Sequence, residues 1–217
     1  MAPELHASFR HNALFIGHNA RKAVQDGRAD FTPVFLSEIP ELFKRRVLPL
    51  AGAIVQVSPP ARSGYCSLGA SGDVARSAVD SARYLIAQVN PQVPRTHGDG
   101  MIHYDRFAAM TWHEAPLHEA VFGGDIGPEE AKIGERVAGL VEDRSTLQIG
   151  IGAIPDAVLR SLGGHRDLGV HTEMFSDGLL DLCEKGVVTN RFKAIPPHKT
   201  VAGFALGSRR LYAAIAA

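Results

Sequence analysis

Short apolar runs, each broken by glycine, proline or asparagine and followed by helical spacing, constrain this chain more than any other feature. Ala53-Ile-Val-Gln-Val57 stops at Pro59-Pro60, and Tyr84-Leu-Ile-Ala-Gln-Val89 stops at Asn90-Pro91. Thr146-Leu-Gln-Ile-Gly-Ile-Gly-Ala-Ile-Pro155 repeats the form, as does Gly169-Val-His-Thr-Glu-Met-Phe-Ser-Asp-Gly178. Runs of this length are strand-sized, and strands alternating with helices predict βαβ units and a mainly parallel sheet. Open sheets of that kind bind ligands at the carboxyl edge of their strands. The expected fold class is therefore α/β, with mainly parallel open sheets.

Read in order, the chain predicts strands over 9–16, 31–36, 53–57 and 84–89. Helices are expected over 19–25, from an N-cap at Ser37 to 46, and over 73–82. Residues 91–122 lose periodicity and read as an ordered excursion with room for a hairpin. Gly123-Gly-Asp-Ile-Gly-Pro128 is a linker by composition. It divides the chain into a unit 1–122 and a unit 129–217. The helix over 129–141 is expected to bury Ile133, Val137, Leu140 and Val141. The second unit continues with strands over 146–150, 167–171 and 200–204. Its helices are expected over 155–162, 177–185 and from 208.

Acids and bases balance at 23 each among 217 residues. A nucleic acid or anionic membrane surface as partner is disfavoured, because a basic footprint is missing. No apolar run reaches the length of a membrane-spanning helix, and the two cysteines, Cys66 and Cys183, fit a reducing compartment. The expectation is a cytoplasmic protein. His97, Asp99, His103, His113 and His118 fall close together but show no metal-ligand spacing, so no metal is assigned. Ser67 and Ser71 lie outside a G-x-S-x-G elbow and receive no catalytic role.

Glu173 is the strongest candidate for chemistry. A carboxylate can attack a thioester carbonyl and split one acyl transfer into easier steps. Ser176-Asp177-Gly178 reads as a helix start whose positive end would favour the charge. By residue type alone, an exposed loop glutamate favouring that helix start is the plainer reading. Gly150, Ile151, Gly152, Ala153 and Ile154 form a strand-end loop whose backbone N–H groups can approach an anion, or simply turn the chain into a helix. Pro155 stands where a dinucleotide fingerprint needs its third glycine. Gln148, on a strand expected to be buried, either holds a substrate carboxylate or ties two loops together.

Gly150-Ile-Gly-Ala-Ile-Pro-Asp-Ala-Val-Leu159, His171-Thr-Glu-Met-Phe-Ser-Asp-Gly178 and Phe204-Ala-Leu-Gly-Ser-Arg-Arg-Leu-Tyr212 resemble the acetyl-CoA hydrolase / 4-hydroxybutyrate CoA-transferase family. So do Gln56-Val-Ser-Pro-Pro60, Gly64-Tyr-Cys-Ser-Leu-Gly69 and Asn90-Pro-Gln-Val-Pro-Arg-Thr-His-Gly-Asp99. The resemblance implies two CoA-transferase-like domains, both incomplete, since full members are about twice this long. It implies that Glu173 is a nucleophile that becomes a glutamyl-CoA thioester, and that residues 150–154 contact coenzyme A. Coenzyme A would then be a substrate, with no permanently bound cofactor. CoA would pass between a short acyl-CoA, such as acetyl-CoA, and a carboxylic acid, such as 4-hydroxybutyrate. Acyl-CoA hydrolysis is the alternative, or an inactive acyl-CoA-binding fragment. The expected partners are these small molecules, further copies of the chain, or a missing C-terminal half that activity would require.

Overall fold

The computed structural model describes residues 3–5, 7–120, 124 and 126–216. The first half runs β1 His11–Ala13, α1 His18–Gln25, β2 Ala29–Phe31, α2 Ile39–Lys44, β3 Gly52–Val57, β4 Tyr65–Ser67, α3 Ala75–Ser81, β5 Tyr84–Val89, β6 Met101–His103 and β7 Ala109–Trp112. The second runs α4 Pro128–Ala138, β8 Thr146–Leu147, α5 Ala153–Ser161, β9 Gly169–Phe175, α6 Asp177–Glu184, β10 Val201–Ala205 and α7 Arg209–Ala216. Two three-stranded parallel sheets, β3-β5-β7 and β10-β9-β8, carry the architecture. A parallel pair β1-β2 and an antiparallel pair β4-β6 accompany them. The α/β expectation with mainly parallel sheets is met.

Each large sheet has its own core. Val57, Val79, Leu85, Ala87 and Val89 cluster under the first; Leu159, Val170, Leu179 and Leu211 cluster under the second. Each fully buried leucine stabilises the fold by roughly 1.5–3 kcal/mol relative to exposure. The halves join at two places. The loop over 70–73 bonds to β10, with Ala205 N–H donating to Ala70 C=O at 2.7 Å and Asp73 N–H to Gly203 C=O at 2.9 Å. Residues 118–120 meet α7, where Tyr212 Oη donates to His118 C=O at 2.8 Å and Arg209 N–H to the Glu119 carboxylate at 2.8 Å.

Several local expectations are corrected. The strand expected over 31–36 ends at Phe31, because Pro33 removes a donor and breaks the ladder. Ser37 lies in a 3₁₀ turn rather than capping a helix; α2 begins at Ile39 with Pro40 in its first turn. The excursion over 91–122 yields two strands. Cys66↔Ile102 pairs β6 with β4, and Ile86↔Ala109 adds β7 in parallel to β5. The linker residues 123 and 125 lie outside the described residues.

The largest correction concerns α4. Of the four residues expected to be buried, Ile133, Val137 and Leu140 are exposed, while Val141, beyond the helix end, packs against the second core. The buried residues are Gly134 and Ala138. Helix–helix packing decides the matter. A Cβ built on Gly134 would lie 2.6 Å from the carbonyl carbon of Ala157, so α4 meets α5 through its smallest side chains.

Candidate functional site

The site is assembled by the second sheet. β9 is its central strand, paired in parallel on both sides. Along it Val170, Thr172 and Met174 are buried while His171 and Glu173 are exposed, so alternate residues divide between a core face and an open face. Glu173 stands on the open face. It lies inside the strand, not beyond its end as the sequence suggests, because β10 continues the ladder through Ala205↔Phe175.

Its neighbours on that face are glycines. The register Ala202↔Thr172 and Phe204↔Met174 puts Gly203 beside Glu173, where an added Cβ would come within 3.0 Å of the Glu173 carbonyl oxygen. On the other side the pairing stops at Leu147↔Val170, and beyond it the Thr172 hydroxyl bonds the N–H and C=O of Ile149, the residue before Gly150. Beyond Gly203 lies Gly72, whose added Cβ would be 3.4 Å from the Gly203 carbonyl oxygen. With no side chain on Gly203 or Gly72, a trench runs beside Glu173 on the β10 side. Among the described residues no hydrogen bond or ion pair engages the Glu173 side chain.

The helix start at Ser176 does not support that charge. Three residues of extended chain, about 10 Å, separate it from Glu173. The helix dipole fades within the first turn, and α6 points its apolar residues into the core with Val170.

Gly150, Ile151 and Gly152 lead from the end of β8 into α5, and all but Gly152 are exposed, as are Ala153 and Ile154. Gly152 has φ 129°, a backbone conformation that glycine alone adopts readily, and no side chain caps the helix. The loop therefore offers backbone amides at a helix start next to the trench. Asp156, in the first turn of α5, has its carboxyl held above the ordinary range by burial, with the Arg160 charge pulling the other way. Gln148 is exposed and directly follows the last paired residue of β8. Exposure removes the cost of burying its amide, so no partner is demanded of it.

The sequence reading offers the small-residue loop through Gly69-Ala-Ser-Gly72 as a possible pocket wall without a catalytic role, but not its contact with β10, and it does not single out Gly203. An isolated glycine inside the apolar run Val201-Ala-Gly-Phe-Ala205 is a signal of close backbone approach and marks the position. Ser67 is a buried hub, its hydroxyl engaging Thr96 and the N–H of Gly69. It thereby holds the loop that reaches β10. Of the histidines, His103 packs between the rings of Tyr65 and Tyr104, whereas His97, His113 and His118 are exposed. Among the described residues, no group of three or more His, Cys, Asp or Glu could hold a metal ion. No helix there is long and apolar enough to cross a membrane.

Comparison with known proteins bears on this geometry. Over 205 residues the chain is 50% identical to a Fasciola hepatica protein named succinyl-CoA:acetate/propanoyl-CoA:succinate CoA transferase, covering 94% of this chain and 43% of that one. It is 48% identical over 204 residues to 4-hydroxybutyrate coenzyme A transferase of Clostridium kluyveri, covering 94% of this chain and 47% of that one. The crystal structure of 4-hydroxybutyrate CoA-transferase from Porphyromonas gingivalis superposes with a TM-score of 0.82 at 38% identity, over 95% of this chain and 53% of that one. RipA from Yersinia pestis superposes with a TM-score of 0.89 at 32% identity, over 98% and 51%. The chain thus spans about half the length of these proteins. Residues 3–122 match the acetyl-CoA hydrolase/transferase N-terminal domain, more than half of the sequence, and the chain belongs to that family.

Proposed function

We propose that this chain carries the nucleophile of a CoA-transferase acting on short acyl-CoAs and carboxylic acids. The observation that carries the reading is Glu173, exposed and unpaired among the described residues, beside a trench over Gly203 and one residue along β9 from the Thr172 that ties the loop at Gly150. The names of the relatives, CoA transferases throughout, favour transfer over hydrolysis. The 1–122 and 129–217 division belongs to this reading. The first unit brings its 70–73 loop to the trench and the second supplies the carboxylate.

The chemistry follows from the carboxylate. A Glu173 oxygen attacks the acyl-CoA carbonyl and the C–S bond breaks, giving an acyl–glutamyl anhydride and CoA thiolate. The thiolate attacks the glutamyl carbonyl, forming the glutamyl-CoA thioester and releasing the first acid. An incoming carboxylate then displaces the thiolate, which attacks the new acyl carbonyl and frees Glu173. Residues 150–154 would direct amides at the coenzyme or at the developing oxyanion. Gln148 would hydrogen-bond the acid.

Oxygen labelling tests the route. An acceptor acid labelled with ¹⁸O forms the bridging bond of the second anhydride, so one label is left in the Glu173 carboxylate after each transfer. The assay uses the chain alone, and also the chain co-expressed with the unmatched half of the Clostridium kluyveri relative (the complemented chain). Label in the peptide bearing Glu173 is expected. Turnover without label there would show that water or the acceptor attacks the acyl-CoA directly.

A further inference from the structure

We infer that Thr172 is a positioning residue that sets the glycine loop against Glu173; the inference rests on the nucleophile reading above. The ladder between β8 and β9 stops at Leu147↔Val170. Two residues later the backbones are still tied, but by a side chain. Thr172 Oγ1 accepts a hydrogen bond from Ile149 N–H at 3.0 Å and donates one to Ile149 C=O at 2.9 Å. One hydroxyl thus satisfies both polar groups of the residue just before Gly150. The threonine is 5% exposed, so water is poorly placed to replace it.

The next residue along β9 is Glu173, and the next along the tied strand is Gly150. A single covalent path, from Oγ1 through the Thr172 Cα to the Glu173 Cα, therefore sets the distance between nucleophile and loop. The tie is needed because residues 148–152 leave the sheet. Gly150 and Gly152 add no side-chain packing, and Ile151 is 50% exposed. Without the hydroxyl, the half-buried Ile149 loses the partner of both its N–H and its C=O, and the loop loses its last fixed point. Misplacement by about 1 Å of groups that act on a reacting centre can cost roughly 100-fold in rate.

Thr172→Val keeps the shape and deletes the hydroxyl, while Thr172→Ser keeps the hydroxyl. Amide hydrogen exchange on the chain alone reads whether the loop is held. The rate at which CoA becomes attached to Glu173 from acetyl-CoA, in the complemented chain, reads whether the hold serves the chemistry. The expected result for the valine variant is faster exchange at residues 149–152. With it should come attachment slowed about 10- to 100-fold at saturating acetyl-CoA, with the serine variant close to wild type in both. Unchanged attachment in Thr172→Val, whatever its exchange, overturns the inference and leaves the Glu173 reading intact. If the valine variant does not fold, Thr172→Ser decides: loss of rate with the hydroxyl still present overturns it. Absence of attachment in the wild type overturns the Glu173 reading, and this inference falls with it.

Discussion

Replacing Gly134 by alanine tests how the glycine loop is held from behind. A Cβ there would sit 2.6, 2.7 and 2.8 Å from the carbonyl carbon, carbonyl oxygen and Cβ of Ala157. Carbon atoms in contact prefer about 3.5–4.0 Å, so α4 and α5 must part by roughly 1 Å. The three obstructing atoms cannot rotate aside, which places the overpacking cost near the upper end of about 1–3 kcal/mol. Alanine returns about 1 kcal/mol through its helix propensity. The net expectation is a loss of about 2 kcal/mol, or about 1 M in urea midpoint at a slope near 2 kcal/mol/M. Because α5 begins at Ala153, directly after Gly152, the same displacement reaches the loop. Equilibrium urea denaturation followed by circular dichroism measures the midpoint, and exchange at 150–154 follows the loop. A raised midpoint would refute the close-packing argument, since it would mean that the helix gains propensity without meeting Ala157.

Other expectations concern titration, capping and surface. Burial pushes the Cys183 thiol up to about 11, and Cys66 is buried and also raised by burial. At pH 8 iodoacetamide should therefore label Cys183 roughly 100-fold more slowly than an unfolded thiol, read by peptide mass; equal rates would contradict it. The raised Asp156 carboxyl opposes folding increasingly as pH rises above 3.8, where the unfolded state loses its proton first, and fully above its folded pKa. Asp156→Asn should raise the unfolding midpoint at pH 7, with the gain shrinking as pH falls through the folded pKa towards 3.8. A gain that grows on acidification would have the wrong sign. Asp177 accepts Ser208 N–H at 2.8 Å and the Ser208 hydroxyl at 2.5 Å, joining the starts of α6 and α7. Asp177→Ala should cost about 1–3 kcal/mol, measured by denaturation. Ile54 is 78% and Trp112 63% exposed, with Tyr84, Ile86 and Met110 also exposed. The chain alone should bind a hydrophobic dye and sediment with concentration-dependent mass, whereas an ideal monomer would count against an accessible apolar face.

The sequence reveals those elements whose own residues decide them. β5 is found at its true bounds because Tyr84–Val89 is apolar but for Gln88 and closed by Asn90-Pro91. β7 is missed because Ala109-Met-Thr-Trp112 is exposed at every position, so no alternation announces it, and pairing with β5 is what makes it a strand. The outward stripe of α4 has the same cause. Periodicity shows that a helix has an apolar face, but the neighbour's shape decides whether that face or the one with Gly134 is buried. At the site, the Glu173 and Gly150 motifs are legible from residue type and family resemblance. Gly203, the 70–73 loop and the Thr172 tie depend on strand register, which only the folded chain supplies.

Intact-mass analysis after acetyl-CoA treatment without an acceptor acid, using the chain and the complemented chain, tests the central assignment most directly. The expected result is a mass gain equal to CoA less water, located by peptide mapping at Glu173 and absent from Glu173→Gln. An adduct that persists in the glutamine variant, or a wild type that turns over acetyl-CoA without one, would contradict it.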